Sequence, residues 1–133
     1  AVKCLEETGA DGVMCSRGTL GYPFLVGEID YFLKTGLEKE PPTPVQRLEC
    51  AREHLEALYS YKGERGIRQA RKHMTWYAKG FMGAAELRGK LSVIETLEQG
   101  LEVIDNAIAQ LLSTDFRNNI AIENEEIPQM IEV

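Results

Sequence analysis

Between Lys62 and Lys90 the chain sets eight bases against two acids, although the whole sequence of 133 residues carries 15 Lys and Arg against 21 Asp and Glu, a formal net charge of −6. Four of those bases, Arg65, Arg68, Lys72 and Lys79, share a helical period with Trp76. At about 100° per residue the four cations fall in a stripe about 60° wide with Trp76 at its edge, and Ile67, Ala70, Met74, Tyr77, Ala78 and Phe81 fall on the opposite side. Cations that neutralise phosphates beside an indole that stacks on a base form a grip for unstacked nucleic acid, the stacking contributing about 1–3 kcal/mol per base. An acidic protein does not seek a polyanion as a whole, whereas a local basic island does. The other reading of the same residues is a solvated charged face with Trp76 packed under a neighbouring element. Electrostatics alone does not separate RNA from DNA.

A second group could bind phosphate. The apolar run Gly12-Val13-Met14-Cys15 has the length of one buried strand, and Ser16-Arg17-Gly18 follows it as a turn leading to a helix. Backbone N–H groups, a glycine that permits close approach and an arginine are the parts of an anion site in such a turn. A plain connecting turn has the same pattern. Elsewhere the chemistry is sparse. Cys4, Cys15 and Cys50 form no Cys-x-x-Cys pair and read as small buried or half-buried side chains, and with His54 and His73 they make no zinc spacing. His73 lies at the border of the basic and apolar faces with no carboxylate at i±4, His54 reads as exposed, and no catalytic residue is assigned. Arg88 and Lys90 read as helix-surface charges that could extend the basic patch.

These groups need a scaffold. At this length the chain can bury a real core, yet it is too short for a complete (β/α)₈ barrel of about 250 residues. No window of about 18 apolar residues and no signal-peptide pattern occur, so the expectation is a cytoplasmic protein with no membrane or metal partner. The opening residues read as the end of a helix closed by Gly9. A helix is expected over Tyr22 to Lys34, followed by a linker with Pro41, Pro42 and Pro44. Thr43-Pro44 reads as an N-cap with proline at the first helical position. Helices are then expected from about Pro44 to Tyr61, Glu64 to Lys79 and Ala84 to Leu91, and one more from Thr96. Short links suggest an antiparallel bundle. The stretch from Thr114 reads as a frayed acidic tail. Because a lone strand leaves its backbone groups unpaired, residues 12–15 imply membership of a larger α/β domain.

The run from Gly9 to Phe24, G-A-D-G-V-M-C-S-R-G-T-L-G-Y-P-F, resembles the end of the flavin-binding barrel of the tRNA-dihydrouridine synthases, usually G-A-D-G-V-M-x-G-R-x-x-x-G-x-P-W. The run from Arg68 to Gly80 resembles the R-K-H-x-x-W-Y-x-K-G stretch in the helical domain of bacterial members. The resemblance covers about residues 1–112. It implies a mainly α fragment: a barrel remnant over residues 1–40 holding strand eight and its helix, and a helical tRNA-binding domain over 41–113; beyond these, composition implies a flexible acidic tail over 114–133. It further implies an enzyme that reduces uridine to 5,6-dihydrouridine in tRNA, with FMN and NADPH in the full-length protein. Ser16 and Arg17 correspond to the Gly-Arg pair that contacts the FMN phosphate. The residues expected to contact tRNA are Arg65, Arg68, Arg71, Lys72, Trp76 and Lys79. Ser16 stands where glycine is usual, which a negative backbone φ would permit, and Phe24 where tryptophan is usual. The family's catalytic cysteine is expected upstream of Ala1, so this stretch alone is expected to hold no flavin and to be inactive. The orphan N-terminal segment could pair two copies into a non-physiological dimer. Two other readings stay open: a non-catalytic helical interaction module, and the end of another phosphate-binding barrel enzyme.

Overall fold

The linker ends where the sequence provides a cap. Thr43 Oγ1 accepts from the Gln46 backbone N–H while the Gln46 side chain accepts from the Thr43 N–H, a reciprocal capping box that starts the first bundle helix at Pro44. The computed structural model describes the backbone of residues 1–132 and the side chains of residues 1–114. Its helices are α1 (Val2–Thr8), α2 (Phe24–Thr35), α3 (Pro44–Lys62), α4 (Glu64–Tyr77), α5 (Ala84–Leu91) and α6 (Leu97–Glu132), with a 3₁₀ turn at Arg17–Thr19 between α1 and α2. Apart from Thr114, the side chains of the acidic tail expected over 114–133 lie outside the described residues.

The core forms where α3 meets α4 and α6, and α5 closes the remaining side against α4 and α6. Leu48 and Leu55 from α3, Ile67 and Met74 from α4, Leu91 from α5, Ile94 from the following link and Ile104 from α6 are fully buried. Each such side chain contributes roughly 1.5–3 kcal/mol by leaving water. Gly63 turns the chain between α3 and α4 at φ 62°, a conformation that favours glycine.

The first 40 residues differ from this. Neither α1 nor α2 has a buried residue. The strand expected at Gly12–Cys15 is absent, and among the described residues no strand occurs at all. A β-ladder needs a neighbour to take its backbone hydrogen bonds, and none is present beside this segment. Met14, at the centre of the apolar run, is 89% exposed. No described helix is long and apolar enough to cross a membrane, and among the described residues no cluster of His, Cys, Asp and Glu could hold a metal ion.

Candidate nucleic-acid interface

Helix α4 carries two opposed faces. Gly66, Ile67, Ala70, Met74 and Tyr77 are buried against the bundle, while Arg65, Arg68 and Lys72 are exposed. Trp76 keeps 37% of its surface exposed, on the same side as these cations. The helix stops at Tyr77, because Ala78 leaves helical geometry at φ −85°, ψ 79°. Lys79 is therefore not on the α4 stripe as expected; it is exposed on the segment that follows.

Pairing separates these cations from many others in the chain. Lys3 pairs with Glu7, Lys34 with Asp30, Arg52 with Glu56 and Asp105, and Lys90 with Glu86. Among the described residues, Arg65, Arg68, Lys72 and Lys79 make no ion pair or side-chain hydrogen bond. Their charge faces solvent without local compensation.

Two arginines expected near the patch have other duties. Arg71 is half-buried and its Nε donates to the Ile94 carbonyl at 2.6 Å, tying α4 to the α5–α6 link. Arg88 donates through Nη1 to the Ala78 carbonyl at 2.8 Å and so helps fix the end of α4.

Behind Trp76 runs a row of rings. Its indole meets the His73 ring edge-on, with centroids 5.3 Å apart; His73 lies 5.2 Å from His54, and His54 lies edge-on to Tyr77 at 5.8 Å. The expectation that His54 is exposed is incorrect. It is half-buried, and its Nδ1 is 3.1 Å from the Tyr77 hydroxyl, because α3 and α4 pack closely enough to enclose both. The thiols also divide: Cys50 is half-buried, with Sγ 3.8 Å from the same hydroxyl, Cys15 is half-buried, and Cys4 is exposed rather than covered as expected. Burial, reinforced by Cys50, pushes the Tyr77 phenol above its ordinary value, so it stays neutral.

Burial, followed by the neighbouring His73, holds the His54 imidazole below its ordinary value of 6.5. The fold therefore favours neutral His54. As pH falls below 6.5 the unfolded chain takes up this proton first, and stability is lost down through the folded pKa. The melting temperature is expected to drop on acidification through this window, and His54→Gln is expected to reduce that slope. Parallel pH–melting curves for the two proteins would contradict the assignment.

The turn before α2 is close to this surface. Ser16 has a negative φ of −104°, so this position does not call for the left-handed conformation that favours glycine. Ser16 and Arg17 are both exposed. The turn is held in steps, with the Thr19 N–H donating to the Ser16 carbonyl, the Leu20 N–H to the Arg17 carbonyl and the Tyr22 N–H to the Thr19 carbonyl. Gly21, at φ 70°, lies directly against the Trp76 backbone: an added Cβ would collide with its carbonyl and come within 2.7 Å of the Trp76 Cβ. The segment that carries Ser16 and Arg17 is thereby joined to the segment that carries Trp76 and Lys79. Arg47, on α3, spans the junction and was missed by sequence reasoning. A cation in the opening turn of a helix opposes the macrodipole, and that misplacement was the available signal.

The family model described as dihydrouridine synthase (Dus) matches residues 1–113. The chain is 59% identical over 109 residues to a "Probable tRNA-dihydrouridine synthase 1" of Synechocystis, covering 82% of this chain and 31% of that protein. It is 43% identical over 95 residues to a "Probable tRNA-dihydrouridine synthase" of Rickettsia conorii, covering 71% and 29%. A "tRNA-dihydrouridine synthase B" of Xanthomonas axonopodis is 41% identical over 97 residues, covering 72% and 29%. The chain thus spans just under a third of the length of these relatives.

Proposed function

The chain belongs to the dihydrouridine synthase family, and from that premise we propose that it is the tRNA-gripping C-terminal part of an enzyme that reduces uridine to 5,6-dihydrouridine in tRNA. The observation that carries this reading is the exposed Trp76 beside the unpaired Arg65, Arg68 and Lys72, on a helix whose other face is buried. Lys79 extends the cationic surface past the helix end. A uracil inside folded tRNA must leave its stack to be reduced, and binding the RNA close to the reacting centre offsets part of that cost. Arg71 is assigned a supporting role, since its Nε bond to Ile94 turns it toward the α5–α6 link.

Ser16 and Arg17 would hold the phosphate of FMN. The exposed guanidinium supplies charge, and the negative φ of Ser16 leaves room for a serine in place of glycine. The hydride chemistry belongs to FMN, replenished from NADPH. To that chemistry this chain would contribute phosphate binding through Ser16 and Arg17 and RNA binding through the exposed side of α4.

The test is competition for residues 1–133 by folded tRNA, duplex DNA and heparin matched in charge. Folded tRNA is expected to compete at the lowest concentration. Equal competition by all three would instead favour a helical module whose basic stripe meets acidic partners.

A further inference from the structure

Arg47 sits where the two halves of the proposed site meet, and its contacts are unusual for an arginine in the opening turn of a helix. Nη1 donates to the Lys79 carbonyl at 2.9 Å and Nη2 to the Tyr77 carbonyl at 3.3 Å. The guanidinium carbon lies 5.6 Å from the centroid of the Tyr22 ring, within cation–π range. Tyr22 is fixed in turn, since its hydroxyl donates to Glu28 Oε1 at 2.5 Å. Arg47 Nε is buried with no hydrogen-bond partner.

One planar group therefore touches α3, the chain end of α4 and the turn that follows Ser16 and Arg17. The Tyr77 carbonyl closes α4, at the negative end of the macrodipole, so a cation suits it, and the second donor reaches the Lys79 carbonyl on the segment that follows. The fork geometry of a guanidinium can serve two carbonyls and still offer a face to an aromatic ring, which an ammonium cannot do. The unpaired Nε is a cost that an aliphatic side chain at the same place would not carry.

We infer that Arg47 is a positioning residue: it sets Trp76 and Lys79 in register with the Ser16–Arg17 turn, so that RNA held by α4 is aligned with the phosphate site. This rests on the proposed function for its meaning, though not for its geometry. Arg47 acts through the Tyr77 and Lys79 carbonyls and is not itself a phosphate contact.

Trp76 is the sole tryptophan, so its fluorescence reports the register directly in residues 1–133 without RNA. Arg47→Met is expected to raise acrylamide quenching of Trp76 about twofold and lower its anisotropy. Arg47→Lys is expected to behave like Arg47→Met, because one ammonium does not bridge both carbonyls and the ring. Tyr22→Leu, which leaves the bundle core intact, is expected to shift Trp76 in the same direction and serves if the Arg47 variants do not fold. With tRNA, Arg47→Met is expected to weaken binding several-fold while leaving the salt slope unchanged. A slope reduced by a full contact would make Arg47 a phosphate ligand and overturn the inference. Unchanged Trp76 quenching in a folded Arg47→Met or Tyr22→Leu variant would overturn it too. Failure of tRNA to outcompete DNA would reject the functional reading and leave the fluorescence result to decide the positioning role.

Discussion

Replacing Arg65, Arg68, Lys72 and Lys79 together with glutamate is expected to weaken tRNA binding about a hundredfold or more near physiological salt and to flatten its salt dependence. Each phosphate contact removed lowers the slope of log affinity against log salt by about 0.7–0.9. Four contacts would remove most of the slope available to so small a surface. The four reversals also take the formal charge from −6 to −14, since each changes it by two, which adds general repulsion. The fold should survive, because the four side chains are exposed and bond to no described partner; substitutions at such positions usually shift stability by no more than about 0.5 kcal/mol each. Reversal of Lys3, Lys34 and Arg52 provides the control. These cations already face carboxylates, and their loss should alter tRNA binding little. Equal effects from both sets would mean that net charge, not the α4 surface, governs association. Trp76→Ala tests the other half of the grip: affinity should fall with the slope preserved, because stacking releases no counterions.

The same surface shows which parts of the molecule local sequence can specify. Thr43, Pro44 and Gln46 lie within four residues of one another and define the start of α3 without outside help. The apolar positions Ile67, Ala70 and Met74 recur at helical spacing, and the buried face of α4 follows from them. The end of α4 does not. A wheel drawn through Lys79 assumes that the helix continues, whereas Arg47 and Arg88, 30 and 10 residues from their carbonyl partners, hold the chain in another geometry after Tyr77. Arg71 shows a similar limit. It lies in the same run as Arg68 and Lys72, yet the Ile94 carbonyl takes its Nε. His54 has charged neighbours in sequence and reads as exposed, but Tyr77 encloses it from another helix. Residues 12–15 have a strand's composition without a strand's neighbours, and a ladder cannot be made by one segment. In each case the deciding partner is distant in the chain, so composition and period could not reveal it.

Gly66→Ala is expected to destabilise the protein by about 2 kcal/mol, although helix propensity alone predicts a gain of about 1 kcal/mol. The reason is the close crossing of α3 and α4 just beyond Gly63. A Cβ at residue 66 would collide with the Leu58 carbonyl oxygen and lie 2.9 Å from its carbon and 3.2 Å from the Lys62 Cβ. The first two are backbone atoms of α3, which cannot rotate aside as a side-chain end can. Relief requires the helices to part, and that would loosen Leu55 and Leu58 against Ile67 and Met74 in the shared core. The melting temperature should fall by about 6–12 °C. Gly89→Ala is the matched substitution with the opposite expected sign. Gly89 lies inside α5, is exposed, and an added Cβ meets nothing within 4 Å, so removing its backbone freedom should stabilise by about 0.5–1 kcal/mol. A gain at both glycines would show that α3 and α4 can separate freely. The exposed side of α4 would then not be held at a fixed angle, and the register between Trp76 and the Ser16–Arg17 turn would lose its foundation.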